Sequence, residues 1–244
     1  MSDLIILIMR TAVILAGGLG TRLRPLTYEL PKSLIPVQGI TLTEQVIAKA
    51  KEAGIEKFYL SIGYLSEQIV DYFSSKDFGV KIDYIIEDTP LGTGGWLNKL
   101  SAQQIKDDFS DDFLVLNGDN LFDLDWTKMK IVHDSNNSLI TIALTQVEDV
   151  TAFGVADLDG AVIKRFVEKP TLKDAPSNYI NSGYYIFSPK VFDIVPNEEK
   201  FSMERVLFPK AAEMGLLFGY PDSSQWFDTG TFVRWEKVIF EWRK

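Results

Sequence analysis

The chain has 244 residues, 46% of them hydrophobic and 24% charged, with a formal net charge of -9. No basic run offsets that balance, which argues against nucleic acid or an anionic membrane as partner. The absence of cysteine excludes disulfides and thiolate metal sites, and the single histidine, His133, excludes a histidine cluster for zinc.

The opening "MSDLIILIMRTAVILAGG" is apolar, but Arg10 interrupts it and no small-residue cleavage site follows. It is too short to span a bilayer. It reads as a short extension ahead of a buried strand from about Thr11 to Ala16, and the cytoplasm is the expected compartment. In "TLTEQVIAKAKEAG", Thr41 and Glu44 have the spacing of a capping box and Gly54 closes a helix. Then "KFYLSI" predicts a strand, "SEQIVDYFSS" a helix, "KIDYIIE" a strand, "GGWLNKLSAQQ" a helix and "DFLVLN" a strand. This alternation implies right-handed crossovers and a parallel sheet with helices on both faces.

The second half is richer in strands. "SLITIALTQV" is a long strand, "FGVADLDGAVIKRFVEKP" a hairpin turning at Asp159-Gly160, and "NYINSGYYIFS" another strand. Helices are expected around Pro189–Ile194 and Met203–Met214. The closing "TFVRWEKVIFEWRK" is an amphipathic helix whose Phe232, Trp235, Ile239 and Trp242 read as core packing. No repeat or flexible linker divides the chain, so a single domain over residues 1–244 is expected.

Ligands of such sheets bind beyond the carboxyl ends of the strands, where polar and glycine residues concentrate here. "LAGGLGTRLRPLT" lacks the Gly-Lys-Ser/Thr of a Walker loop and the third glycine of a dinucleotide fingerprint. Taken alone it is a tight turn with solvated charges. With "PKSLIPV" behind it, Arg22 and Lys32 offer a planar fork and a mobile point charge to a triphosphate. In "LNGDN", Asp119 is either a turn carboxylate or a Mg²⁺ ligand, while Asp123 and Asp125 read as turn and cap chemistry. Asp228 in "WFDTGT" is either a helix cap or a second carboxylate for the same metal. Glu168 and Lys169 in "VEKP" fall on opposite faces if extended, as a surface pair or as ligand contacts. Asn181 needs a hydrogen-bond partner, backbone or ligand, and His133 reads as an ordinary helix residue.

Taken in series, "LAGGLGTRLRPLT…PKSLIPV", "PLGTGG", "LNGDN", "VEKP", "INSGYYIF" and "WFDTGT" resemble the sugar-1-phosphate nucleotidyltransferase family, in its order and over most of the chain. "INSGYYIF" and "FSMERVLFPKAAEMG" are most similar to its mannose-1-phosphate guanylyltransferases, and heptose-1-phosphate guanylyltransferases look similar in length. The resemblance implies a Rossmann-like, three-layer α/β fold around a mixed, mostly parallel sheet. It implies a nucleotide-binding half (about 10–146), a sugar-phosphate half (about 147–230) and a C-terminal helix (231–244). No C-terminal β-helix is expected.

It further implies Mg²⁺-dependent attack of a sugar 1-phosphate on the α-phosphorus of an NTP, with pyrophosphate leaving. Leu15, Ala16, Gly17, Gly18, Gly20, Thr21, Glu87, Pro90, Gly92, Thr93 and Gly118 would bind the nucleotide. Arg22 and Lys32 would hold the triphosphate, Asp119 and Asp228 the metal, and Lys169 the sugar phosphate, with Gly154, Glu168 and Asn181 lining the sugar pocket. Glu87 stands where thymidylyl members carry glutamine. A carboxylate accepts from both N1–H and N2–H₂ of guanine, which favours GTP. The threonine of "DTG" instead resembles the thymidylyl branch. Alternatives are uridylyl or thymidylyl transfer to glucose 1-phosphate, and a non-catalytic nucleotide-sugar sensor. A homo-oligomer is left open.

Overall fold

The structure is a computed structural model that describes residues 9–243, so the reading of the first eight residues lies outside it. In chain order, β1 (Thr11–Leu15) leads through three 3₁₀ turns to the short pair β2 (Pro36–Val37) and β3 (Ile40–Thr41). There follow α1 (Leu42–Glu52), β4 (Lys57–Ile62), α2 (Ser66–Ser74), β5 (Lys81–Ile86), α3 (Ala102–Asp108), β6 (Phe113–Asn117), β7 (Asn120–Phe122) and α4 (Trp126–Ser135). The rest comprises β8 (Ile140–Gln146), β9 (Gly154–Asp159), β10 (Val162–Glu168), β11 (Tyr179–Phe187), α5 (Phe208–Glu213), β12 (Leu217–Pro221), β13 (Trp226–Asp228) and α6 (Phe232–Glu241).

One nine-stranded sheet runs through both halves in the order β5-β4-β1-β6-β11-β8-β12-β10-β9. β5, β4, β1 and β6 are parallel, as alternating strands and helices dictate. β11 enters antiparallel between β6 and β8, so the sheet is mixed. Its central strands β4, β1, β6, β11 and β8 are largely apolar on both faces because both are covered. Ala12, Ile14, Leu114, Leu116, Tyr184 and Ile186 face the core under α1, α2, α4 and α6. Val13, Phe113, Val115, Tyr185 and Phe187 alternate onto the core shared with α5. The Rossmann-like three-layer arrangement is present. Among the described residues, no helix is long and apolar enough to cross a membrane.

Several elements depart from the reading. The helix expected over "GGWLNKLSAQQ" is broken: a 3₁₀ turn (Gly95–Lys99) stops at extended Leu100, and Ser101 starts α3 with its own capping box to Gln104. Burial of Trp96 and Leu97, with Gly94 and Gly95 pressed against the 199–201 segment, sets this turn rather than helical periodicity. The helix expected from Met203 to Met214 begins as a π-turn (Met203–Leu207) capped by Ser202; Pro209, without an N–H, then sits in the first turn of α5. In the last helix Val238 and Trp242 are the core anchors, while Phe232 is exposed, contrary to the expectation of core packing. The capping box of α1, the cap of α4 by Asp125 and the turn at Gly160 (φ 61°) are as read. His133 lies in α4, buried against Thr141.

Candidate active site

The ladder continues just past the parallel strands: Ala16 N–H donates to the Ser61 carbonyl (2.8 Å), Gly118 to Leu15 (3.0 Å) and Glu87 to Ile62 (2.8 Å). Because β1 sits between β4 and β6, the loops that follow β1 and β6 part there and leave a crevice. A cleft of ≈ 330 Å³ opens at this point. Leu15, Ala16, Gly17, Gly18, Lys32, Glu87, Pro90, Gly92, Thr93, Gly118 and Asp119 line it, together with Ser33, Ser61 and Asn117. Glycine is required where chains close up. A Cβ on Gly118 would stand 3.0 Å from the Leu15 carbonyl, and Gly92 has φ 77° with the Phe201 carbonyl only 2.4 Å from such a Cβ.

Glu87 is fixed within the cleft. Ser61 Oγ donates to Oε1 (2.7 Å) and the Leu91 N–H to Oε2 (3.0 Å), so both carboxylate oxygens have one partner and a remaining lone pair. The Thr93 hydroxyl, read as nucleotide-binding, is engaged elsewhere. It donates to Glu204 (2.5 Å) and accepts from the Met203 N–H (3.0 Å), tying this loop to the π-turn.

Gly20, Thr21 and Arg22 belong to the next turn and do not line the cleft. Arg22 packs beside Asp228 instead: a Cβ on Gly230 would lie 2.6 Å from Arg22 Nη2 and 2.8 Å from Asp228 Oδ1. Lys32 Nζ pairs with Asp119 Oδ2 at 2.5 Å. Burial pushes the Asp119 carboxyl up, but the charge and hydrogen bond of Lys32 and the charge of Arg22 outweigh it and hold the group below its usual value. The two acidic loops are stitched together. Thr229 donates to the Asp119 carbonyl from N–H (3.2 Å) and from Oγ1 (2.7 Å), and β13 pairs Asp228 with Asn120. Asp228 takes the Gly230 N–H on Oδ1 (2.6 Å) and a close ion pair from Arg234 on Oδ2.

A second cluster forms in the strand-rich half. Lys169 does not continue the strand; at φ 51° it turns left-handed, its N–H donating to the Phe153 carbonyl (2.9 Å). That turn brings its ammonium to 3.6 Å from Glu168 Oε1, correcting the expectation of opposite faces. Burial and then the charge of Glu204 raise the Glu168 carboxyl above its ordinary value, against Lys169 and Arg205. Gly154 admits the Phe166 ring, 2.3 Å from a Cβ there, beside Glu168. Asn181, half-buried, gives Nδ2 to Tyr185 Oη (2.9 Å) and accepts the Gly183 N–H on Oδ1 (2.9 Å). The bulge of β11 between Asn181 and Tyr185 puts Gly183 (φ 87°) against the amides of Asn117 and Asn120.

Sequence reasoning missed Ser61 and Arg234. The strand-end rule points to Ser61, which pairs with Leu15 across β4 and β1. Arg234 gave no signal, being embedded in a helix read for its apolar face.

The family profile described as "Nucleotidyl transferase" matches residues 11–239. The chain is 36% identical to the mannose-1-phosphate guanylyltransferase of Mycobacterium tuberculosis, an alignment covering 91% of this chain and 62% of that protein. It is 35% identical to the UTP–glucose-1-phosphate uridylyltransferase of Synechocystis, covering 90% and 60%. It thus spans about six-tenths of the length of these curated relatives. The crystal structure of HddC from Yersinia pseudotuberculosis has 30% identity and a TM-score of 0.79, covering 96% of this chain and all of that one. The profile and the fold agree, and the chain belongs to the nucleotidyl transferase family.

Proposed function

We propose that the chain transfers a nucleotidyl group from a nucleoside triphosphate to a sugar 1-phosphate, with GTP the favoured donor and mannose or heptose 1-phosphate the favoured acceptor. An oxygen of the sugar phosphate forms a bond to the α-phosphorus. The bond from that phosphorus to the α–β bridging oxygen breaks, and its electron pair leaves with pyrophosphate. The attacking phosphate is already anionic, so the step needs no protein base. What it needs is alignment of two anions and neutralisation of their charge.

Gly17 and Gly18 let backbone approach the nucleotide, Lys32 and Arg22 take the triphosphate charge, and Lys169 holds the sugar phosphate. The two carboxylates Asp119 and Asp228, on loops joined by Thr229, are hard oxygen donors of the number that suits Mg²⁺ alongside phosphates and water. When bound, that ion screens the phosphates from each other.

The observation that carries the GTP reading is Glu87. Its carboxylate is held by Ser61 and the Leu91 N–H, leaving one acceptor site on each oxygen for the paired donors of guanine. Support comes also from the Yersinia HddC structure complexed with GMP-PN. The threonine of "DTG" does not weigh against it, because its hydroxyl is bonded to the Asp119 carbonyl. The Synechocystis relative keeps uridylyl transfer to glucose 1-phosphate as the second reading.

Pyrophosphate release is the test, measured with GTP, ITP, UTP and dTTP against mannose, heptose and glucose 1-phosphates. GTP should support the fastest turnover, with kcat/KM for ITP lower by about tenfold, because one hydrogen bond to the Glu87 carboxylate is lost. Turnover with UTP or dTTP alone overturns the Glu87 argument. An absence of product with every pair leaves the nucleotide-sugar sensor.

A further inference from the structure

Arg234 stands in the first turn of α6, its N–H donating to the Thr231 cap (3.3 Å) and its side chain 39% exposed. Its guanidinium holds Asp228 Oδ2 through Nη1, and its Cζ lies 5.5 Å from the centre of the Phe153 ring. The carbonyl of that same Phe153 accepts the Lys169 N–H (2.9 Å). One residue therefore carries Arg234 on its ring and Lys169 on its backbone. Two basic residues from distant parts of the chain are thereby tied to Phe153, one by its side chain and one by its backbone.

The fold has little need of this ion pair. α6 is capped by Thr231 and anchored by buried Val238 and Trp242. Asp228, in turn, has both oxygens engaged, Oδ1 by the Gly230 N–H and Oδ2 by Arg234. Each oxygen keeps a lone pair for a divalent cation, but a cation bound there repels the guanidinium on the same carboxylate and loosens it. A guanidinium set free over the Phe153 ring finds a better partner in a phosphate. The phosphate carries more charge than one carboxylate and fits the planar fork through two oxygens.

We propose that Arg234 binds the phosphate of the sugar 1-phosphate, resting on Asp228 in the free enzyme and exchanging onto the substrate when Asp228 turns to the cation. The proposal rests on the nucleotidyl-transfer reading above.

The test uses the full chain with Arg234→Met and Arg234→Lys, circular dichroism checking the fold. Arg234→Gln serves should the methionine variant not fold. With GTP and mannose 1-phosphate varied separately, Arg234→Met raises KM for the sugar phosphate by about 10- to 100-fold, the size of one lost charge-assisted hydrogen bond, and leaves KM for GTP unchanged. Arg234→Lys recovers part of the loss. Independently of turnover, Mn²⁺ titrated into nucleotide-free protein and followed by electron paramagnetic resonance binds more tightly to Arg234→Met, because Asp228 is unmasked. An unchanged sugar-phosphate KM, or an equal rise for both substrates, removes Arg234 from the phosphate site. Unchanged or weaker Mn²⁺ binding removes the exchange. If the unaltered chain turns over no sugar 1-phosphate, the nucleotidyl-transfer reading falls first, and the Mn²⁺ titration alone still judges the Asp228–Arg234 lock.

Discussion

The two sides of the candidate site are built on different principles. Around the ≈ 330 Å³ cleft, ligand-facing groups hang from the ends of four parallel strands, and their positions follow from ladder bonds such as Ala16 to Ser61 and Gly118 to Leu15. Glu87 is pinned by two donors before any ligand arrives. Across from it, the groups around Asp228, Glu168 and Lys169 are held by ion pairs among themselves and by a left-handed lysine. The first side is preorganised by backbone. On the proposed function the second trades internal ion pairs for substrate, which makes it the side where substitutions separate binding from fold.

Asp119 belongs to both sides, and its replacement should have the largest effect. Asp119→Asn is expected to lower kcat with Mg²⁺ by about 10³-fold, at the upper end for removing one group that stabilises developing charge. Far-ultraviolet circular dichroism should stay unchanged, since the carboxylate packs against Lys32 and not the core. Near-full kcat would dissolve the idea that the two sides meet at this residue.

Lys169 tests the second side alone. Lys169→Ala should raise KM for the sugar phosphate by about 10- to 100-fold through loss of the ammonium, with KM for GTP unmoved. Lys169→Gly removes the same charge but suits φ 51° without strain. Equal KM values for the two variants assign the effect to charge. A recovery in the glycine variant assigns it to the backbone turn, and a rise in KM for GTP places the lysine on the triphosphate.

The contrast also explains what a reading of residues finds. β1, β4, β5 and β6 were legible because each is an apolar run ending in glycine or a polar residue, and the strand-end rule then points to Gly17, Glu87 and Asp119. Ser61 obeys the same rule but hides within "YLSIGY" as one small polar residue among apolar neighbours. The second side was opaque for a different reason. Pairing Lys169 with Glu168 depends on a positive φ held by the Phe153 carbonyl, a contact sixteen residues back in sequence that no local pattern announces. Arg234 reaches Asp228 only because β13 and α6 meet at a sharp turn through Gly230. The break at Leu100 likewise follows from the 199–201 segment crossing the two glycines.

The smallest effect is expected where neither side of the site is touched. Asp112 precedes β6, at the end of that strand away from the cleft, with its Oδ2 3.2 Å from Lys130 Nζ and 3.5 Å from His133 Nε2. Burial raises its carboxyl, but the hydrogen bond and charge of His133 and the charge of Lys130 win and hold it below its ordinary value. A lowered pKa means that the folded state binds this proton less readily than the unfolded chain. Its stabilisation is therefore complete above the unfolded value near pH ~4 and drains away as pH falls through the lower folded value. Asp112→Asn should cost about 1 kcal/mol at pH 7 in urea denaturation and narrow its deficit against the unaltered chain as pH falls below about 4. KM for both substrates should stay unchanged. Parallel loss of stability in both proteins over that range would show that Asp112 does not supply the acid limb. A shift in either KM would mean that the base of the sheet is not independent of the two sides it carries.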